Sequence, residues 1–229
     1  MSKGIFITAT GTNVGKTFVT GLMVKKLREA GYNAGYYKVA LSGAEVTEHG
    51  LIPGDADYVN RVAAIGETME NLVTYVYKNP VSPHLAAIIE GNPVEMNIVK
   101  AAYKKASANY DYLTVEGSGG IVCPIRYDDT KIMLEDIIKE LGLSTLIIAD
   151  AGLGTINATV LTVEYMRQKN IPIKGIIFNR YHEGSVMEED NKMMVEIMTG
   201  LPVIAFVKDN DTELTIDTDK LVALYEQEL

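Results

Sequence analysis

The stretch Thr8-Ala9-Thr10-Gly11-Thr12-Asn13-Val14-Gly15-Lys16-Thr17 constrains this chain more than any other. It follows the apolar run Gly4-Ile5-Phe6-Ile7 and precedes an amphipathic segment that opens at Lys16. Apolar strand, glycine-bearing loop, Gly-Lys-Thr and helix together make the construction of a phosphate-binding P-loop. Backbone N–H groups of such a loop and of the helix N-terminus converge on phosphate oxygens, aided by the helix dipole. Gly15 permits close backbone approach, Lys16 offers a point charge to the outer phosphates, and Thr17 offers a hydroxyl to Mg²⁺. The strict spacing, Gly-x4-Gly-Lys-Ser/Thr, asks for glycine where Thr10 stands. An ordinary strand-to-helix turn is the competing reading.

The rest of the chain repeats the strand–helix alternation. A helix is predicted from Lys16 to Ala30, with Gly31 as its stop. A strand from Gly35 to Val39 carries Lys38 near its end. The segment from Leu41 to Pro53 is polar and rich in turn residues, and a helix runs from Asp55 through Ile65. Pro80 and Pro83 bracket a turn before a helical stretch, Leu85–Ile89, and a break at Gly91-Asn92-Pro93. Helix Met96–Ala108 leads to strand Tyr112–Glu116, which ends in Gly117-Ser118-Gly119-Gly120. Further on come helix Ile132–Leu141, strand Thr145–Ala149 and helix Asn157–Lys169. Strand Ile173–Phe178, helix Met187–Met198, strand Val203–Val207 and a last helix, Thr218–Glu228, complete the pattern. Short apolar strands alternating with helices predict an α/β fold, a mostly parallel β-sheet flanked by helices on both faces. No repeat, low-complexity segment or Ser/Gly/Pro-rich linker divides residues 1–229, so one domain is expected.

Charge and cysteine content remove several functions. A formal net charge of −9 gives no basic stripe for nucleic acid. Cys123 is the sole cysteine, so neither an intramolecular disulfide nor a cysteine-based zinc cluster is available. His49, His84 and His182 lack metal-ligand spacing. No apolar run reaches membrane length and no basic-plus-apolar leader is evident, so a soluble cytoplasmic protein without membrane partners is expected.

Open α/β sheets bind ligands beyond the C-terminal ends of their strands. Lys16, Lys38, Glu116, Asp150 and Asn179 all fall at or just after predicted strand ends. Glu116 stands where a P-loop protein keeps its Mg²⁺-directed acid; Asp150 occupies a similar position, and spacing does not choose between them. Lys38 is either a solvated strand-end lysine or a charge that stabilises phosphoryl transfer. Turn and cap roles account for Ser42 and Asp55. Gly152-Leu153-Gly154-Thr155-Ile156-Asn157 is either a βα turn or an anion site at a helix N-terminus. Tyr36 and Tyr37 read as packing residues, and Cys123 as inert.

Taken in order, these pieces resemble dethiobiotin synthetase, a P-loop NTPase-fold family of ATP-dependent carboxylases that close the ureido ring in biotin synthesis. The resemblance is carried by Gly11-Thr12-Asn13-Val14-Gly15-Lys16-Thr17, Tyr37-Lys38-Val39-Ala40-Leu41-Ser42-Gly43 and Asp55. Pro80-Val81-Ser82-Pro83-His84, Glu116-Gly117-Ser118-Gly119-Gly120 with Pro124, and Gly152–Asn157 follow in the family order. Ala9, Gly11, Val39 and the ending Ala205-Phe206-Val207-Lys208 depart from the common family pattern. The resemblance implies that Lys38, Lys16 and Thr12 are catalytic and that Thr17, Asp55 and Glu116 hold Mg²⁺. It puts Asn13, Val14, Gly15, Lys16, Thr17 and Phe18 around ATP, with Asp55, Glu116, Gly117, Ser118, Gly119, Asn179 and Arg180 completing the nucleotide site. Ser42 would bind substrate, as would Gly154, Thr155, Ile156 and Asn157 from a second protomer, since the family is homodimeric with sites at the interface. The implied substrates are 7,8-diaminopelargonic acid, CO₂ or bicarbonate, and ATP. A MinD/ParA-type switch ATPase is the first alternative, but an acidic chain with an acidic C-terminal segment suits neither DNA nor an anionic membrane. Cobyrinic-acid-type amidoligases would need a glutaminase domain, for which the length leaves no room. A purely regulatory nucleotide-binding domain would leave Lys38 and Ser42 at one strand exit unexplained.

Overall fold

The computed structural model describes residues 2–48 and 50–225. The chain opens with β1 (Lys3–Ala9), α1 (Lys16–Glu29) and β2 (Ala34–Ser42). A small hairpin follows, β3 (Glu45–Thr47) and β4 (Gly50–Ile52), then α2 (Gly54–Val62), α3 (Met69–Leu72) and β5 (Val73–Tyr77). Next come α4 (Pro83–Glu90), α5 (Met96–Ser107) and β6 (Tyr112–Glu116), and a second hairpin, β7 (Pro124–Tyr127) with β8 (Lys131–Met133). The remainder alternates regularly: α6 (Leu134–Leu141), β9 (Thr145–Asp150), α7 (Thr155–Gln168), β10 (Ile173–Asn179), α8 (Val186–Thr199), β11 (Val203–Val207) and α9 (Thr218–Leu224).

Seven strands form one sheet in the order β11-β10-β9-β1-β6-β2-β5, and each neighbouring pair in it is parallel. The central strands are buried on both faces, as their unbroken apolar runs require. Side chains alternate between two apolar layers. Ile5, Ile7, Leu146 and Ile148 face α1, α2 and α9, while Phe6, Ile147 and Phe178 face α5, α6, α7 and α8. β1 lies between β9 and β6, so the chain reverses its direction of winding there. That position puts the loop after β1 in the crevice where such sheets take ligands.

The expected α/β architecture is present, with local differences. β5 was not anticipated; its Val-Thr-Tyr-Val-Tyr run alternates between buried and half-buried positions, as an edge strand does. The turn-rich segment after Leu41 contains the β3–β4 hairpin. The helix expected from Ile132 starts at Leu134, because Lys131–Met133 is taken up by pairing with β7. At its start, the Asp136 carboxylate accepts the Met133 N–H at 2.8 Å. The helix expected from Asn157 opens two residues earlier, at Thr155, behind Gly154. Of the predicted final helix, Thr218–Leu224 is helical, and residues 226–228 lie outside the described residues, as does His49.

Candidate functional site

Strand register brings the charged residues together. Lys38 of β2 lies directly opposite Glu116 of β6, and both side chains are buried, at 3% and 1% exposure. The Lys38 ammonium donates to Glu116 Oε1 at 2.7 Å and meets Asp55 Oδ2, from the first turn of α2, at 2.8 Å. Thr17, in the first turn of α1, donates its hydroxyl to the same Glu116 oxygen at 2.8 Å. Burial alone would push the Lys38 ammonium down, but Glu116 and Asp55 override it and hold Lys38 above the ordinary lysine value. Burial likewise pushes Asp55 up, and Lys38 reverses that, leaving its carboxyl below the ordinary value. Lys16 is lowered, chiefly by burial, with Lys38 as a like-charged neighbour. The cluster holds two lysines and two carboxylates on the C-terminal edge of the sheet.

The loop itself is shaped from β10. Asn13 and Gly15 have left-handed backbones, at φ 63° and 87°. Asn179, at the end of β10, donates its side-chain amide to Val14 O at 3.0 Å. A Cβ on Gly15 would stand 2.0 Å from that amide nitrogen, so only glycine fits beneath it. Arg180 donates through Nη2 to Asn13 O and through Nη1 to Asp150 Oδ2, each at 2.6 Å. On the other side Ser118 donates to Ala40 O at 2.7 Å, fixing the loop after β6 against β2.

An open cavity of about 580 Å³ lies over these groups. Thr12, Asn13, Gly15, Lys16, Thr17, Lys38, Ser42, Asp55, Ser118, Gly119 and Arg180 line it. Glu116 reaches its edge through Thr17 and Lys38, and Asn179 stands behind the loop. Val14 and Phe18 turn their side chains to the α1-side apolar layer, Phe18 facing Tyr58 with ring centres 6.4 Å apart. Gly117 is packed against Phe6, where a Cβ would come within 2.8 Å of the ring. Gly154, Thr155, Ile156 and Asn157 are not among the cavity's lining residues. They open α7, Gly154 at φ 92° with open space around it, next to Leu153 at 92% exposure.

The donor set fits Mg²⁺. Among the described residues no group of three or more His, Cys, Asp or Glu could hold a metal by itself. Thr17, Asp55 and Glu116 supply hard oxygens in a number suited to an ion that keeps waters and shares phosphate oxygens. Asp150, which spacing left equivalent to Glu116, is turned to Arg180 instead.

One contact escaped the reading of Tyr36 as packing alone. Its ring is fully buried, but its hydroxyl donates to Glu116 Oε2 at 3.2 Å, the oxygen that Thr17 and Lys38 do not use. The signal was available in the two-residue period of a strand, which puts Tyr36 and Lys38 on one face. Tyr37 takes the other face and bonds Thr74. Cys123 sits beside the cavity residues with its thiol raised to about 11 by burial, which leaves it a weak nucleophile.

A family model described as an AAA domain matches residues 3–214. Over 228 residues the chain is 51% identical to the ATP-dependent dethiobiotin synthetase BioD of Brachyspira hyodysenteriae, covering 99% of this chain and 100% of that one. The same enzyme of Clostridium botulinum is 48% identical over 227 residues, with 99% and 100% covered. Among solved structures, a ParA family ATPase from Chlorobium tepidum superposes with a TM-score of 0.56 at 12% identity, over 97% of this chain and 90% of that one. The Aquifex aeolicus MinC:MinD complex gives 0.54 at 13% identity, over 96% and 85%. At such identities the structural likeness speaks to fold alone. Among the described residues no helix is long and apolar enough to cross a membrane.

Proposed function

This chain belongs to the ATP-dependent dethiobiotin synthetase family, and on that premise we propose how its residues divide the work. The reaction is the ATP-dependent carboxylation of 7,8-diaminopelargonic acid with CO₂, which closes the ureido ring of dethiobiotin and yields ADP and phosphate. The observation that carries the site assignment is the meeting of Thr17, Lys38, Asp55 and Glu116 under a cavity that also reaches Ser42.

An amine of the substrate loses a proton and forms a C–N bond to CO₂, giving a carbamate. A carbamate oxygen then takes the γ-phosphoryl group of ATP, releasing ADP and leaving a carbamic–phosphoric anhydride. The second amine attacks the carbonyl carbon and gives up a proton, which leaves with the phosphate as the C–O bond to it breaks, and the ring closes. Each step gathers negative charge between carbamate and phosphate. The ammonium groups of Lys16 and Lys38 act on that charge, and burial strengthens their effect. Thr12 lies beside them on the cavity wall, and Ser42 offers a hydroxyl to the substrate end. Asn13–Phe18, Gly117–Gly119, Asn179 and Arg180 would surround the nucleotide. Thr17, Asp55 and Glu116 would hold Mg²⁺, which supplies Lewis-acid polarisation of phosphate oxygens.

The one domain is assigned to act as a homodimer. Gly154–Asn157 opens α7 outside the lining of its own cavity, and Leu153, Leu161, Val186 and Ile197 expose apolar side chains around α7 and α8. In a dimer this loop would meet the tail carboxylate of the partner's substrate. A cytoplasmic site of action is assigned from the ATP and small-molecule substrates.

The test is incorporation of labelled bicarbonate into acid-stable product with Mg²⁺, ATP and 7,8-diaminopelargonic acid present. Label in dethiobiotin that requires all three is expected. ATP hydrolysis without label would overturn the reading and leave a switch ATPase.

A further inference from the structure

Asp150 is used by neither the phosphate cluster nor the proposed chemistry, yet its carboxylate is occupied in two directions. Oδ2 meets Arg180 Nη1 at 2.6 Å, and Oδ1 accepts the Gly152 N–H at 2.9 Å. Arg180 carries the first contact onward to Asn13 O in the P-loop. Gly152 carries the second to the loop that opens α7, whose underside is held by Asn191, donating to Ala151 O and Gly152 O.

A peptide unit is planar and trans, so a carbonyl held on one side turns the following N–H to the other. Arg180 holds Asn13 O, which aims the Val14 N–H away from Arg180. Asn179 holds Val14 O and does the same for the Gly15 N–H. Two successive amides of the phosphate loop are therefore oriented from the end of β10 by the chain's own side chains. Asn13 and Arg180 both adopt left-handed backbones, at φ 63° and 55°, which non-glycine residues rarely take. Asn tolerates that region and Arg does not, so an Arg180 held there by a charged hydrogen bond suits a contact kept for geometry. Stability is a poor explanation for it, since the side chains of Asp150 and Arg180 are 37% and 42% exposed, and exposed pairs contribute little.

We propose that Asp150 is a positioning residue whose two oxygens tie the phosphate loop, through Arg180, to the loop that opens α7. The inference rests on the synthetase reading, in which the first loop takes nucleotide and the second takes the diamine's tail.

The experiment compares Arg180→Ala, Asp150→Ala, Asp150→Asn and the Asp150→Ala/Arg180→Ala double variant with the parent enzyme. Calorimetric titration with ADP and Mg²⁺ reads the first loop, and KM for the diamine against kcat reads the second. Asp150→Ala should weaken ADP binding about tenfold, the effect of losing one charge-assisted hydrogen bond, and Arg180→Ala at least as much, since Arg180 also lines the cavity. The double variant should be no weaker than Arg180→Ala alone, because Asp150 acts on the phosphate loop only through Arg180. Asp150→Asn keeps an acceptor for the Gly152 N–H, so it should lose ADP affinity while retaining the parent KM for the diamine. Asp150→Ala should lose both. Affinities within twofold of the parent, or losses that multiply in the double variant, would overturn the link to the phosphate loop. Equal diamine KM in Asp150→Ala and Asp150→Asn would overturn the link to α7. Should Asp150→Ala fail to fold, Asp150→Leu, close to Asp in shape and without an acceptor for the Gly152 N–H, takes its place in both comparisons. Titration with ADP does not depend on dethiobiotin formation, so loss of the synthetase reading would be seen separately.

Discussion

Two helices of this protein begin in the same way and end up in different circumstances. α1 and α7 are each 14 residues long, each start behind a left-handed glycine, Gly15 at φ 87° and Gly154 at φ 92°, and neither carries an acidic residue in its first turn. Both therefore present free N–H groups and the positive end of a helix dipole. The start of α1 is walled in by its own chain: Asn179 over Gly15, Glu116 on Thr17, and Lys38 and Arg180 around the cavity. The start of α7 is held from beneath, by Asp150 and Asn191, and its Leu153 stands in solvent. Local sequence makes an anion-binding helix end; tertiary neighbours decide whether it is a finished site. The first has its surroundings within the chain, and the second would be completed in the proposed dimer.

The largest effect should come from removing the cation that distinguishes the first site. Lys38→Met should lower kcat about a thousandfold while the dissociation constant for ADP and Mg²⁺ changes less than about threefold. Turnover retained at saturating substrates would make the first site as passive as the second.

Matched glycine substitutions test the comparison directly. Gly15→Ala puts a methyl group 2.0 Å from the Asn179 amide and forces a left-handed alanine. Binding of ADP should weaken by more than about a hundredfold. Gly154→Ala meets open space and bears only the backbone cost, about 1–2 kcal/mol. It should raise KM for the diamine up to about tenfold and leave ADP binding alone, by calorimetry. Equal responses would mean that the two helix starts do not differ in the way described.

Tyr36→Phe removes the hydroxyl that satisfies Glu116 Oε2 and keeps the ring in the core. The orphaned oxygen should cost about 1–3 kcal/mol in a denaturant titration. Affinity for Mg²⁺ in the presence of ADP should fall about tenfold, while Tyr37→Phe, on the opposite face, leaves it unchanged. Identical Mg²⁺ titrations for the two variants would return Tyr36 to a packing role.

Much of this was written locally. Apolar runs predicted β1, β2, β6, β9, β10 and β11, and the strand-end positions of Glu116 and Asn179 follow from those boundaries. Lys38, expected near the end of a strand Gly35–Val39, lies instead in the middle of β2, because pairing with β5 carries that strand on to Ser42. β5 was missed because five alternating residues at a sheet edge carry a weak pattern, and its place beside β2 is a long-range pairing. Asp150 and Glu116 could not be separated because both end apolar strands; only sheet order puts Glu116 beside β2, and its Lys38, and Asp150 beside β10. The Arg180 contact to Asn13 joins residues 167 positions apart and has no local signature. Residue types at element ends were readable, and the partners chosen across the sheet were not.

The smallest effect concerns Asp55, the exposed member of the first cluster. Lys38 overrides burial and holds its folded pKa below the ordinary 3.8. A depressed carboxylate stabilises the fold above its unfolded pKa, and that contribution disappears as pH falls through the folded value. Asp55→Asn should thus be less stable than the parent at pH 7, and the gap should begin to close below about pH 4, as pH drops towards the lowered folded value. With its side chain 42% exposed, the gap at pH 7 should stay under about 1 kcal/mol. Denaturant titrations at pH 7 and pH 3 would measure it. The matched change at α7, Asn157→Ala, titrates no group and should show the same difference from the parent at both pH values. A gap for Asp55→Asn that persists unchanged at pH 3 would mean that Asp55 is held by packing rather than by the Lys38 charge, and the electrostatic contrast between the two helix starts would shrink to Glu116 alone.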